Sequence, residues 1–268
     1  MTDQDTGVGA GSDELESAPL EVVGRIQVAS NATFFARIGE VDVVYKPVAG
    51  EKPLWDFPDG TLADREVAAY LVSEATGWNV VPRTWLRDGP LGPGMVQLWQ
   101  VQDEGADPVN VVPARRAGRD GWRTVLEGAD EDDRPVCLVH EDSAALRRMA
   151  VLDVVLNNAD RKGGHVLPMP DGRRLGVDHG VTFHVEPKLR TVLWGWLGEN
   201  LDASELAGVE RVRTGLGPDL DGPLARALGP LLSDDELVAL ALRCERLLRT
   251  RTFPAPEGDM PSVPWPLF

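Results

Sequence analysis

Apolar and polar positions change their rhythm once along the chain. From Glu21 to about Val101 the apolar residues fall in short runs rich in β-branched and aromatic side chains, at 22–28, 33–38 and 41–46. Turn residues at Ser30-Asn31 and Gly39-Glu40 separate these runs, which therefore predict neighbouring strands. One helix interrupts them over 64–75, with Ala63, Val67, Tyr70 and Leu71 on one side and Gly77 as its stop. Strands are expected again at 82–86 and 95–101, joined through Asp88-Gly89-Pro90. The stretch 103–133 is charged and turn-rich, with the connection between two lobes placed at its start.

Beyond residue 140 the period becomes helical. Leu146, Met149, Ala150, Asp153 and Val154 mark a helix over 143–156, and Leu237, Leu240, Ala241, Cys244, Leu247 and Leu248 mark another over 234–251. Strands with one helix, followed by helices, predict an α+β protein of two unlike lobes. The expected divisions are a disordered acidic tail at 1–18, a β-rich N-lobe at 19–101, a mainly helical C-lobe at 102–253 and a Pro-rich tail at 254–268. That last tail either packs through Trp265 and Phe268 or hangs free.

Composition narrows the class of partner. The 268 residues include 43% hydrophobic positions, enough for a sizeable core, and no run approaches the roughly 20 apolar residues of a spanning helix. The acidic N-terminus has no apolar signal core. The two cysteines, Cys137 and Cys244, lie far apart and imply no disulfide framework, which suits a reducing cytoplasm. With 43 acidic against 27 basic side chains, the net charge of −16 opposes binding to nucleic acid and stable association with anionic membranes.

Candidate chemistry concentrates in Asn157-Asn158-Ala159-Asp160-Arg161-Lys162-Gly163-Gly164-His165, a polar loop directly after the apolar helix. Val166-Leu167, the turn Pro170-Asp171-Gly172-Arg173 and Leu175-Gly176-Val177 form a hairpin that returns to Asp178-His179-Gly180. A carboxylate at the end of an apolar strand is costly unless it is paired or binds metal. Asp160 and Asp178, 18 residues apart on two sides of one hairpin, are expected to converge. Phosphoryl transfer needs such carboxylates, together with a cation on the phosphates. Lys46, ending an apolar strand, and Glu66, 20 residues on in the next helix, either form that cation and its partner or are an exposed strand-end lysine and helix acid. The turn Ser30-Asn31-Ala32-Thr33 either covers phosphates with free N–H groups or is an ordinary hairpin turn.

The pattern Asp-Arg-x-x-x-His, hairpin, Asp-x-Gly resembles the catalytic and metal loops of the phosphatidylinositol 3- and 4-kinase superfamily. That superfamily shares its core fold with protein kinases and HipA-type bacterial kinases. Tyr45-Lys46-Pro47, the run from Pro53 to Gly60, Arg65-Glu66-Val67-Ala68-Ala69-Tyr70 and the run from Asn157 to His165 are similar to a family of actinobacterial proteins labelled phosphatidylinositol 3-/4-kinase-like. The resemblance covers about residues 20–250 and implies a bilobal protein-kinase-like fold. It implies ATP as cofactor, Lys46 on its phosphates, Glu66 as the partner of Lys46, Asp160 as the base that orients the acceptor, and Asp178 on Mg²⁺ or Mn²⁺. Adenine would meet the backbone near Trp99 to Val101.

The pattern departs from kinases at His165, where a second metal ligand is usually asparagine. His165 is either a ligand to a softer ion or a hydrogen-bonding cap of the loop. Arg161 and Lys162 either neutralise the transferring phosphoryl group or sit in solvent. The reading is a kinase-like phosphotransferase acting on a soluble small-molecule or protein acceptor. Its alternatives are a nucleotide-binding pseudokinase scaffold and an AMP transferase.

Overall fold

The computed structural model describes residues 12–26, 31–52, 54, 57, 60–257 and 261–268. A short helix, α1 (Ser12–Ser17), comes first. It corrects the expectation of a disordered tail over its length; residues 1–11 lie outside the described residues. Leu15 is buried in the sheet that follows, and the Arg87 guanidinium donates to Leu15 O and Ala18 O, both at 2.8 Å. Carbonyls at the end of a short helix that would otherwise lack partners are thereby satisfied.

Strands β1 (Leu20–Arg25), β2 (Phe34–Ile38), β3 (Val41–Pro47), β4 (Thr84–Gly89) and β5 (Gly92–Leu98) make one antiparallel sheet in the order β1-β2-β3-β5-β4. On β3 the two-residue period buries Val43 and Tyr45 on one face, where they join Leu15, Leu20, Trp85 and Val96. Lys46, paired in register with Met95, therefore points to the other face. Helix α2 (Leu62–Thr76) lies there, and its Ala63 and Val67 pack on Met95. Thr61 and Asp64 form a capping box at its start, and Gly77 at φ 70° ends it.

A second sheet, unexpected from the pattern, follows: β6 (Val109–Pro113), β7 (Trp122–Ala129) and β8 (Pro135–Glu141), in the order β6-β8-β7. The remainder is mainly helical, with α3 (Ala144–Leu156), the hairpin β9 (Val166–Pro168) and β10 (Arg174–Gly176), α4 (Ala203–Leu216), α5 (Pro223–Leu228) and α6 (Asp234–Thr250). The expected α+β architecture of a strand-rich N-terminal lobe and a mainly helical C-terminal lobe is what the chain adopts. Cys137 and Cys244 are both buried and free. Among the described residues no helix is long and apolar enough to cross a membrane.

The largest core belongs to the C-terminal lobe but takes in α2. Ala68, Ala69 and Val72 join Leu146, Met149 and Leu152 of α3, Val209 and Val212 of α4, and Leu240 and Leu247 of α6. Arg65 of α2 is nearly fully buried; it pairs with Glu236 of α6 and donates to Thr182 O at 3.2 Å. Helix α2 is thus held by both lobes, so its Glu66 cannot swing away without opening the main core.

His140 on β8 gives this core a pH signature. It is fully buried, its Nδ1 lies 2.8 Å from Glu141 O, and its Nε2 accepts from the Gly195 N–H at 3.0 Å. Those contacts require the neutral ring. Burial lowers its pKa to about 4 from 6.5, against the opposing pull of Glu141 O and the Asp142 and Glu141 carboxylates and with the help of Arg123. The unfolded chain takes up this proton below about pH 6.5 and the folded chain does not, so stability falls as pH drops from about 6.5 towards 4. The full effect is about 3 kcal/mol. Urea unfolding at pH 7 and pH 5 should register a smaller loss in His140→Gln, whose Oε1 can still accept from Gly195 but takes up no proton.

Candidate functional site

Three distant segments meet at Lys46. Its Nζ lies 2.7 Å from Glu66 Oε1 and 2.8 Å from Asp178 Oδ1. Glu66 is 2% exposed, and its second oxygen accepts the His179 N–H at 2.9 Å, so one carboxylate grips both the lysine and the loop that presents Asp178. Asp178 adopts φ 62°, a left-handed backbone uncommon for a residue other than glycine. Gly180 passes so close to α2 that an added Cβ would lie 3.1 Å from Leu62 Cβ. Tight approach and a bent backbone together turn Asp178 out, leaving its side chain 51% exposed beside the 20% exposed Lys46.

The electrostatics follow from this packing. Burial alone would lower the pKa of Lys46, but Asp178 and Glu66 outweigh it and raise it. The Lys46 charge holds Asp178 well below the usual carboxylate range. Burial pushes Glu66 up, opposed by Lys46.

The loop after α3 is built on a buried ion pair. Arg161 and Asp153 are each 0% exposed, with Arg161 Nη2 2.9 Å and Nε 3.1 Å from Asp153 Oδ1. Arg161 also donates to His165 O at 3.2 Å and Val177 O at 3.1 Å, and its Nη2 lies 2.6 Å from His179 Nε2. Arg161 thus ties α3, the 160–165 loop and the Asp178 loop together. The expectation that it faces a phosphoryl group or solvent is corrected: enclosed on all sides, its charge is spent on Asp153. Lys162, mostly buried, lies 3.2 Å from Asp160 Oδ2. Burial raises the pKa of Asp160, and Lys162 partly offsets it.

His165 meets Asp178 as well, with Nε2 3.3 Å from Oδ2. Burial lowers its pKa to about 4, against the opposing pull of the Asp178 carboxylate. Its Nδ1 is buried and has no partner among the described residues. A histidine that ligates metal ordinarily donates its other ring N–H to an acceptor. His165 therefore faces Asp178 but lacks the outer acceptor that ordinarily backs a ligating histidine. Among the described residues no cluster of three His, Cys, Asp or Glu side chains could hold a metal by itself. A nucleotide-borne Mg²⁺ needs only one or two carboxylates, with phosphates and water completing the shell. Asp178 fits that lesser demand.

The expected phosphate-covering turn is placed less favourably. Ser30 lies outside the described residues, as do Pro53, Trp55, Asp56, Pro58 and Asp59 of the quoted run. Thr33 is 5% exposed and its hydroxyl lies 3.4 Å from Asn31 O, while Asn31 Oδ1 accepts the Lys52 N–H at 3.0 Å. The Ala32 N–H is taken by Gly50 O at 3.2 Å. These groups brace the turn rather than offering free donors. Strand β5 ends at Leu98, short of the expected Val101, and the Trp99 N–H continues the ladder to Asp42 O at 3.1 Å. Val101 is 73% exposed, and Trp99 packs its indole edge-on against Phe35.

Asn157 and the far tail brace the loop from outside. Asn157, at φ 54°, ends α3 and its amide donates to His184 O at 2.8 Å and Glu186 O at 2.7 Å. Of the two alternatives for the Pro-rich tail, packing holds: the Gly163 N–H donates to Leu267 O at 2.8 Å, and an added Cβ on Gly163 would lie 2.3 Å from the Phe268 ring. Trp265, by contrast, is 85% exposed.

No model of a known protein family matches the chain. Protein Rv2133c of Mycobacterium tuberculosis (strain ATCC 25618 / H37Rv) is 50% identical over 267 residues, spanning 95% of this chain and 94% of the relative. The chain belongs to the family of that protein. Among solved structures, the crystal structure of a Helicobacter pylori proinflammatory kinase, CtkA, aligns with a TM-score of 0.45 and 12% identity over 89% of this chain and 94% of that one.

Proposed function

We propose that the chain is an ATP-dependent kinase-like phosphotransferase of the phosphatidylinositol 3-/4-kinase-like type. The observation that carries this reading is the meeting of Lys46, Glu66 and Asp178, drawn from a strand, a helix and a loop, at a half-open position. A lysine held between a buried and an exposed carboxylate is poised for exchange. Phosphates can displace Asp178 from Lys46 while Glu66 keeps the ammonium in place. Asp178 would then hold Mg²⁺ or Mn²⁺ carried by the nucleotide, with His165 orienting its second oxygen. Asp160 would accept the proton of the acceptor hydroxyl, with Lys162 beside it to offset developing charge.

The acceptor in this reading is a soluble small molecule or a protein. The net charge of −16 argues against a bilayer of anionic lipid as the working surface. One observation favours the pseudokinase alternative: both oxygens of Asp178 are engaged, one by Lys46 and the other by His165. Nucleotide binding without turnover would favour that alternative.

The phosphate role of Lys46 has a direct test. Lys46→Met should weaken ATP binding at least tenfold in calorimetric titration with Mg²⁺ present, about 1.4 kcal/mol or more. Glu66→Gln should act in the same direction with a smaller effect. Unchanged affinity in a folded Lys46→Met protein would sink the assignment.

A further inference from the structure

The loop 160–165 is pinned at both ends and held at one point between them. At Arg161 the side chain is buried on Asp153, and the N–H donates to Arg190 O at 3.0 Å. At His165 the carbonyl accepts from Arg161 Nη1 at 3.2 Å and from the Val177 N–H at 3.1 Å. Between these anchors stand Lys162, Gly163 and Gly164, and glycine loses more conformational freedom on ordering than any other residue. Among the described residues, the main chain of 162–164 makes one hydrogen bond beyond 160–166: the Gly163 N–H donates to Leu267 O at 2.8 Å.

Leu267 is itself held. Its side chain packs against the main core, and upstream the Ser262 carbonyl accepts from the Thr191 N–H at 3.1 Å and from Trp194 Nε1 at 2.8 Å. The Phe268 ring covers the buried Gly163, and an added Cβ on Gly163 would collide with that ring. Gly163 lies outside the left-handed region, so alanine there would strain this contact rather than the backbone. The neighbour of Gly163 in the loop is Lys162, whose Nζ lies 3.2 Å from Asp160 Oδ2. We propose that Leu267 and Phe268 form a strap that positions the Asp160–Lys162 pair by holding Gly163. This deepens the phosphotransfer reading and rests on it for its catalytic consequence; Leu267 is a positioning residue, acting through the loop. Without the strap the two glycines regain their freedom and Lys162 leaves Asp160. The contacts among Lys46, Glu66 and Asp178 are untouched, so kcat falls while KM for ATP stays.

Steady-state ATP turnover with Mg²⁺, together with hydrogen exchange of the 160–165 amides, tests the proposal. Removing Leu267 and Phe268 should lower kcat at least tenfold with KM for ATP within twofold of the wild type. Exchange at Gly163 should become at least tenfold faster while α3 keeps its protection. Gly163→Ala, which keeps Leu267 but drives a methyl group into the ring, should give the same loss of kcat. Adding Phe268→Ala to that variant should restore kcat to within threefold of the wild type, because the carbonyl of residue 267 remains to accept the N–H. This pair keeps the test decisive should the shortened chain fail to fold. Unchanged exchange at Gly163 in a folded shortened chain, a tenfold rise in KM, or no recovery in the double variant would each overturn the strap. Absence of turnover in the wild type would instead overturn the phosphotransfer reading and the catalytic consequence with it, while the exchange comparison still decides whether the strap holds the loop.

Discussion

Asp178→Asn should lower metal-dependent ATP turnover by about 10³-fold, equivalent to about 4 kcal/mol of transition-state stabilisation. The carboxylate is half exposed, in direct contact with Lys46, and held ionised by that neighbour. Asparagine preserves its size and can still accept from Lys46, but it lacks the charge that a divalent ion requires. The loop itself should survive the change, because Glu66 holds the His179 N–H and Arg161 holds Val177 O independently of the Asp178 side chain. A thermal midpoint close to that of the wild type, with turnover lost, is therefore the expected pair of results. Turnover within threefold of the wild type would remove Asp178 from the chemistry.

Asp153→Ala is expected to have the largest effect on stability, a loss of about 3–5 kcal/mol. Neither Asp153 nor Arg161 has any exposure, so removing the carboxylate leaves a buried guanidinium without its counter-charge. Asn158 Nδ2, 2.9 Å from Asp153 Oδ1, loses its acceptor too. Replacing both members by apolar residues, as in Asp153→Leu with Arg161→Met, should recover only part of the loss. His165 O, Val177 O and His179 Nε2 would remain without the donor Arg161 supplies. Urea unfolding of the two variants measures both halves of this expectation. A loss below about 1 kcal/mol in Asp153→Ala would mean that the pair is far more hydrated than its burial indicates.

The parts of this site legible in the sequence were those with a local signature. Asp160 and Asp178 stood out because charges and glycines interrupt apolar runs, and the hairpin between them sets their approach. Lys46 and Glu66 were visible only as a plausible pair; no local feature announces that β3 and α2 bring them within 2.7 Å. Arg161 was misplaced because its position in the loop suggests exposure. Its true partner was present as Asp153, a charge on the apolar face of α3, and a buried acid of that kind calls for a cation. That His165 faces Asp178 with its Nδ1 unpartnered is a tertiary fact with no trace in sequence.

The second sheet was missed for a different reason. Val109, Val111 and Val112 of β6 are bracketed by Pro108 and Pro113, and the charged stretch beyond them masks β7. Strand β8, with Val136, Cys137, Leu138 and Val139, supplies the buried centre that makes its two neighbours strands. Such pairing is non-local, and β propensity alone is a weak guide to it. Helix α4 went unread although its signature is local: Asp202 and Glu205 form a capping box ahead of Leu206, Val209, Val212 and Leu216 at helical spacing.

The central claim is that Lys46, Glu66 and Asp178 form a site for a nucleotide carrying a divalent ion. Calorimetric titration of ATP, with Mg²⁺ or Mn²⁺ and then with excess chelator, tests it in the wild type and in Asp178→Asn. The account predicts at least tenfold tighter binding with metal in the wild type and no such gain in Asp178→Asn. Absence of ATP binding to the wild type, or an equal gain from metal in both proteins, would contradict it.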